Sequence, residues 1–338
     1  MKKLILILIV IALAFGGYYA YKEYIEPEKN YKDAISMIDN YNYPEAFSML
    51  QQLDGYKDST ERMMALYGNT VSAGRHHTVA VKNDGTVVAA GRNTQDQCNV
   101  EDWKDIAYVS CGYDYTAALK DDGTVVFAGQ NSIGKGDFSN WSDIVAISSG
   151  EFHTLGLKKD GTVVATGGND FGQCNVSEWK DIVSVKAVGK TSVGLKKDGT
   201  IVMCGKGLLD KEEIEKLTGV VDFDLCGEET SIFMKKDGTV ECMGFLKGIK
   251  PDIDDATKVC AGNMFALALK KDKTIAVIKD DTKTYEYGQL NVDAWKDIVD
   301  FSAYENLVIA VDKNGQVFAT GEGFSKETDV NGWNLNKY

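Results

Sequence analysis

Three kinds of short apolar run recur in a fixed order along most of the chain. The first is Ile144-Val-Ala-Ile-Ser, echoed by Ile106-Ala-Tyr-Val-Ser, Ile182-Val-Ser-Val-Lys and Ile298-Val-Asp-Phe-Ser. The second is His153-Thr-Leu-Gly-Leu-Lys, echoed by Tyr115-Thr-Ala-Ala-Leu-Lys and Phe265-Ala-Leu-Ala-Leu-Lys. The third is Thr162-Val-Val-Ala-Thr-Gly, echoed by Thr86-Val-Val-Ala-Ala-Gly and Thr200-Ile-Val-Met-Cys-Gly. Each is short, β-branched or alternating, and bounded by Gly or Asp, which predicts strands. An Asp-Gly pair joins the second run to the third. Its Gly, or the residue in its place, falls at Gly85, Gly123, Gly161, Gly199, Gly238, Lys273 and Gly315, with spacings of 38, 38, 38, 39, 35 and 42 residues. Self-similarity at such a period marks a repeat architecture.

Seven units of three or four short strands predict radially arranged sheets, a seven-bladed β-propeller in a mainly β fold. The Asp-Gly pair predicts a two-residue type I′ hairpin with two positive-φ positions. Lys273 breaks that rule, so the sixth turn is expected to be strained or differently built. A short fourth strand is expected near Asn99-Val and Asn175-Val. Small residues at one position of the second strand (Ala80, Ala118, Gly156, Gly194, Ala268, Ala310) predict closely packed sheets, with Phe233 as the exception.

Ring closure is also written in the repeat. Trp103, Trp141, Trp179 and Trp295 precede successive first strands, with Leu217 and Ile253 in the gaps. Trp333 is a further copy with no strand after it, whereas Asn69-Thr-Val-Ser-Ala-Gly74 is a first strand with no Trp before it. The two ends therefore complete one repeat, and a closed ring leaves no open sheet edge.

The first sixty residues have another texture. Leu4 to Tyr21 carries no charge and follows Lys2-Lys3, while Glu23, Glu26 and Glu28 come after it. A helix there spans roughly 27 Å, enough for a bilayer core, and the Lys pair keeps its start on the cytoplasmic side. The expectation is a single-pass anchor over residues 1–24 with an extracellular body. A cleaved signal peptide on a secreted protein is the alternative, since Ala12-Leu13-Ala14 is a small-x-small site; a buried cytosolic helix is a third reading. In residues 25–66, Pro44, the apolar face Phe47, Leu50 and Leu53, and Gly55 outline a helix, and Asp58-x-x-Glu61 a second helix start. Asn42-Tyr43-Pro44-Glu45-Ala46 and Tyr56-Lys57-Asp58-Ser59 resemble tetratricopeptide-type helical hairpins. At one copy this is a stalk or cap for the propeller at 67–338.

In Gly150-x-x-His153-Thr…Leu157-x-x-Asp160-Gly161-Thr-Val…Gly167-x-Asn169-x-x-Gly172-Gln173, the unit resembles the regulator of chromosome condensation repeat. The similarity runs over roughly residues 68 to 338. Repeat four has Val188 for the Gly, and repeat seven has Tyr304 and Leu307 for the Gly and His. The short period resembles the bacterial members, among them a secreted inhibitor of β-lactamases, more than the eukaryotic exchange factor with its longer repeats. The resemblance implies recognition through aromatic residues in the loop before the His slot; Phe152 matches, whereas Asp114, Lys190 and Glu229 depart.

Charge and chemistry narrow the function. The balance 37 − 50 = −13, and 34 − 50 = −16 beyond Lys22, repels phosphate backbones, so nucleic acid is excluded as a partner. Seven cysteines, an odd number without Cys-x-x-Cys, are read as small apolar blade residues rather than a disulfide framework. Of the three histidines, His77 and His153 fill a slot that Tyr115 and Phe265 also fill, which is packing. Val188-Gly189-Lys190-Thr191-Ser192 lacks the Gly a phosphate-binding loop needs. No catalytic motif, metal cluster or cofactor signature is present, so no catalytic residue, cofactor or metal is assigned.

The loops before the second strand and after the third lie on one face of a propeller, and they vary between repeats. Variable loops on a rigid scaffold are where binding is placed. Eight residues there are the partner-binding candidates: His76, Tyr113, Phe152, Phe171, Lys190, Glu229, Met264 and Glu305. The leading expectation is a non-enzymatic protein-binding module facing an envelope or extracellular partner and held to the membrane by residues 4–21. The alternatives are a carbohydrate-active or cation-dependent enzyme using an acidic channel, and a guanine-nucleotide exchange factor, for which the repeats offer no long wedge-like insertion.

Overall fold

The computed structural model describes residues 26–39, 43–53, 56–57, 69–207, 210–227, 229–283, 287–322 and 326–335. The predicted membrane segment at 4–21 and the Asp58-x-x-Glu61 helix start lie outside them. Among the described residues no helix is long and apolar enough to cross a membrane.

Seven antiparallel sheets form, each of three strands in chain order. We call these strands inner, middle and outer. In blade one they are Val71–Ala73, His77–Val81 and Val87–Gly91; in blade three, Ile144–Ser149, His153–Lys158 and Val163–Gly167. Inner strands neighbour one another in sequence order, and blade one's lies against that of blade seven (Ile298–Tyr304), which closes the ring.

Two features differ from the sequence expectation. The Asp-Gly turn is not a two-residue I′ hairpin. Gly85 N–H donates to the Lys82 carbonyl at 2.9 Å and Lys82 N–H to that of Thr86 at 2.8 Å. Gly85 alone, at φ +74°, is left-handed. This is a type I turn followed by a left-handed bulge residue, a three-residue loop. Asp84 is recurrent because its carboxylate accepts both the Thr86 N–H (2.9 Å) and hydroxyl (2.6 Å). Lys273 occupies the same geometry at φ +66°, with its N–H on Lys270 at 2.9 Å. The sixth turn is therefore strained, not differently built. Lys273→Gly is expected to raise stability by about 1 kcal/mol, read as a shift in urea midpoint at unchanged slope.

The fourth strand is absent as well. Residues 97–98 and 173–174 are turns, and the irregular residues after them bury Val100 and Val176. Their carbonyls are used sideways, not in a ladder: Gln97 accepts the Thr116 hydroxyl of blade two (2.8 Å), and Gln173 the Ser192 hydroxyl of blade four (2.6 Å).

Packing between blades explains the small middle-strand residues. A Cβ on Gly156 would lie 2.6 Å from the Trp141 ring, and one on Gly194 2.8 Å from the Trp179 ring. Each indole fills the space beside the following blade's middle strand. Trp333 joins a cluster with Ala80 and Val88 of blade one and Val317 of blade seven. Asn83 N–H donates to the Leu335 carbonyl at 2.9 Å, repeating the bond from Lys197 to Asp181. The chain ends thus complete one repeat between them.

A second seam runs around the axis. Ser72, Ser110 and Ser148 each accept a backbone N–H from the next blade, those of Cys111, Ser149 and Ala187, at 2.8–3.0 Å. Ser302 takes that of Ala73 at 3.2 Å. Lysine cannot accept, so Lys186 instead pairs with Asp224 of blade five at 2.5 Å, and Asp224 takes the Ala261 N–H of blade six at 3.0 Å.

Two helices, α1 (Glu26–Asp39) and α2 (Tyr43–Gln52), rest on the end of the ring that carries the Asp-Gly turns. Ala34, Phe47 and Leu50 are buried in one cluster with Val145, Val183 and Phe223 of blades three to five. Lys57 and the Tyr56 hydroxyl both bind Glu28, at 2.6 and 2.8 Å, fastening the following segment to α1.

Candidate functional site

The opposite end of the ring is built from the loops that vary. Outer-strand exits are tied beside the inner–middle loops: Arg92 N–H donates to His76, Gln130 to Asp114, Gly168 to Phe152 and Lys206 to Lys190. Two positions beneath these loops explain one another. A Cβ on Gly74, Gly112 or Gly262 would come within 2.5 Å of the slot rings of His77, Tyr115 and Phe265. Where the slot holds Thr191, Thr230 or Leu307, the Gly position holds Val188, Cys226 or Tyr304. Tyr304 therefore stands at the mouth of the axis because its own blade lacks an aromatic slot residue.

The mouth is a cavity of about 340 Å³ lined by Glu151, Phe152, Val188, Lys190, Tyr304 and Glu305. Three of the eight candidates, Phe152, Lys190 and Glu305, converge there. Two more flank it. The Arg75 guanidinium lies 4.2 Å above the Tyr113 ring and reaches Glu305 at 3.7 Å. Lys190 Nζ lies 4.5 Å over the Phe171 ring. Burial raises the Glu305 carboxyl against the pull of Arg75, and holds the Tyr304 phenol well above its ordinary range.

The other three do not line the cavity. His76 faces the buried Glu327 at 3.6 Å in the seam between blades one and seven. Glu229 is exposed on blade five, and Met264, at φ +64°, has its N–H on the Thr230 hydroxyl.

Three residues outside the eight candidates, Ile133, Phe245 and Tyr287, are also here. Five large hydrophobic side chains are 42–49% exposed among the described residues, and four of them, Ile133, Phe171, Phe245 and Tyr287, sit in outer-strand exits on this face. Ile133, Phe171 and Tyr287 share one repeat slot, two before Lys135, Gln173 and Gln289. The Gln side chains pin that slot by accepting the N–H of Phe171 and Tyr287 at 3.0 and 3.1 Å. An apolar residue recurring at an exposed turn was the available signal. Ile133 adjoins Phe152, since a Cβ on Gly168 would touch both side chains at 3.4 and 3.6 Å.

The axis itself is a narrow space of about 90 Å³, well under the roughly 300 Å³ at which ligand pockets begin. Its carboxylates are engaged. Asp300 pairs with Lys258 at 2.5 Å and accepts the Thr70 N–H at 2.8 Å. Asp222 accepts the Val259 N–H at 3.0 Å, and burial pushes its carboxyl up to about 7. Burial disfavours charge on Lys186 and Lys258, yet Asp224 and Asp300 hold both above the usual lysine value.

A family model for the regulator of chromosome condensation (RCC1) repeat matches residues 70–97 and 144–173. Each stretch runs from an inner strand to the Gln of the exit loop. The matches fall in blades one and three. The fold is similar to the CRINKLY WD40 ectodomain of the Arabidopsis thaliana receptor kinase ACR4, with a TM-score of 0.63 at 16% identity, over 77% of this chain and 96% of that one. It is also similar to the ectodomain of the Physcomitrella patens receptor kinase CR4 (TM-score 0.59, 15% identity, 75% of this chain and 73% of that one). Human WBSCR16 gives a TM-score of 0.51 at 14% identity, over 71% and 80% of the two chains. No curated protein sequence matches the chain. At these identities the structural likeness establishes a β-propeller and nothing about its partner.

Proposed function

We propose that this protein is a non-enzymatic interaction module that binds a protein partner on the loop face of its propeller, displayed outside a membrane by an anchor at residues 4–21. The observation that carries the reading is the asymmetry of the two ends. One end bears α1 and α2, with Phe47 and Leu50 buried against blades three to five. The other presents Ile133, Phe171, Phe245 and Tyr287 to solvent around the Phe152–Tyr304 cavity. Exposed aromatics in rigid loops around a concavity, with charged residues between them, are the anatomy of a protein-binding surface. Against an enzyme in the channel stands the engagement of its acids by lysines and backbone N–H groups.

The test is capture from envelope extract by the full chain in mild detergent, beside a variant carrying Ile133→Ser, Phe152→Ala and Phe171→Ser. A partner held by the parent should be lost from the variant by about thirtyfold or more in affinity. Equal retention by both would move binding off this face. On intact cells a membrane-impermeant reagent should label lysines of the propeller; protection of all of them would refute the display.

A further inference from the structure

We infer that the loop-face cavity receives a basic side chain, an arginine or lysine that the partner presents beside an apolar residue. This rests on the loop-face reading and specifies its chemistry. Two walls are aromatic, Phe152 from blade three and Tyr304 from blade seven, and each stands beside a carboxylate, Glu151 and Glu305 respectively. Aromatic faces next to carboxylates favour a cation, which gains from both the ring and the charge. The cavity lining carries Glu151 and Glu305 against Lys190, and Arg75 reaches Glu305 from the flank. Both of those cations already lie over rings at the flank, Arg75 on Tyr113 and Lys190 on Phe171. An anionic side chain entering here would meet the Glu151 and Glu305 carboxylates; a cation would be drawn to them. The volume of about 340 Å³ admits a long side chain, and lies at the small end of sites for free ligands. The adjoining Ile133, Phe152 and Phe171 give the neighbouring partner residue an apolar footing.

The probe is a fluorescein-labelled peptide, Gly-Ser-Phe-Gly-Arg-Gly-Ser, compared with its twin carrying Glu for Arg, titrated by anisotropy against the full chain. The Arg peptide should bind about tenfold or more tightly than the twin at low salt, and this margin should shrink with added salt. Glu151→Gln and Glu305→Gln together should abolish the margin, whereas Glu229→Gln, outside the cavity, should leave it. Thermal unfolding of each variant checks folding, and Glu151→Gln alone answers if the Glu305 variant unfolds. Equal binding of the two peptides, no binding of the Arg peptide at about 1 mM, or a margin that survives the double substitution would overturn the inference. A partner still lost on removal of Phe152 and Phe171 would then leave the loop-face reading standing without the basic-residue pocket.

Discussion

Trp179→Leu and Gly194→Phe are each expected to destabilise the propeller by about 3 kcal/mol, and the two together by about 3 rather than about 6. Trp179 is buried and lies against Gly194, where a Cβ would approach its ring to 2.8 Å. Shortening the indole leaves a cavity, and adding a ring at Gly194 forces a clash. Blade five shows the complementary solution within the same chain. There Leu217 stands in the Trp position and Phe233 in the small position, both buried, with the Phe233 ring stacked on Phe223 at 6.2 Å. Transplanting that pair into blade four restores the volume that either change alone upsets. Urea unfolding of the four proteins gives the coupling directly. Additive losses would mean that the blades do not share this contact and that the small residues are small for another reason.

That exchange also shows what a single sequence can reveal. The period, the strand order and the completion of one repeat by the chain ends were legible because seven drifting copies average out accidents. Phe233 was visible as an exception, but its cause was not, since Leu217 and Phe233 come into one core cluster only in the fold. The Asp-Gly turn misled for a different reason. Asp-Gly suits both hairpin types, and the choice lies in Asp84 accepting from Thr86, which uses one more loop residue than a I′ turn has. The expected fourth strand failed because the N–H groups of Asn99, Val100, Asn175 and Val176 are spent on carbonyls two or three residues back, in local turns. At the loop face, Phe152 and Lys190 share a ring position and Glu305 holds the one before it, as Glu151 does in blade three, so their convergence followed from the repeat. Tyr304 occupies a glycine position and reads as a lapse in the motif. Ile133 lies where Phe171 does, one repeat earlier, and only its exposure beside Phe152 brings it into the site.

Acid should weaken the fold through the two slot histidines. His77 Nε2 lies 3.0 Å from the Thr116 hydroxyl, and His153 Nε2 lies 2.8 Å from that of Ser192. Each hydroxyl spends its only hydrogen on a carbonyl, of Gln97 and Gln173 respectively, so each imidazole must donate from Nε2. Nδ1 is then bare, and in both rings it is buried without a hydrogen-bond partner. Protonation would place a charge there, and burial depresses both imidazoles to about 4 from an ordinary 6.5. Because the unfolded chain takes up these protons first, stability is full above about pH 6.5, falls as the pH drops through this window, and levels off below about pH 4. The loss amounts to roughly 3 kcal/mol for each histidine. Asp222 acts in the opposite sense, since its raised carboxyl takes up a proton more readily in the fold. A comparison that holds Asp222 constant therefore isolates the histidines. His77→Tyr with His153→Tyr imports the blade-two solution, in which the Tyr115 hydroxyl lies 2.9 Å from that of Thr154. Between about pH 6.5 and about pH 4 the parent should lose roughly 6 kcal/mol more than this variant, measured by urea unfolding across the range. Parallel pH profiles would show that the imidazoles gain a proton in place, and that the bare nitrogens find an acceptor in the folded ring.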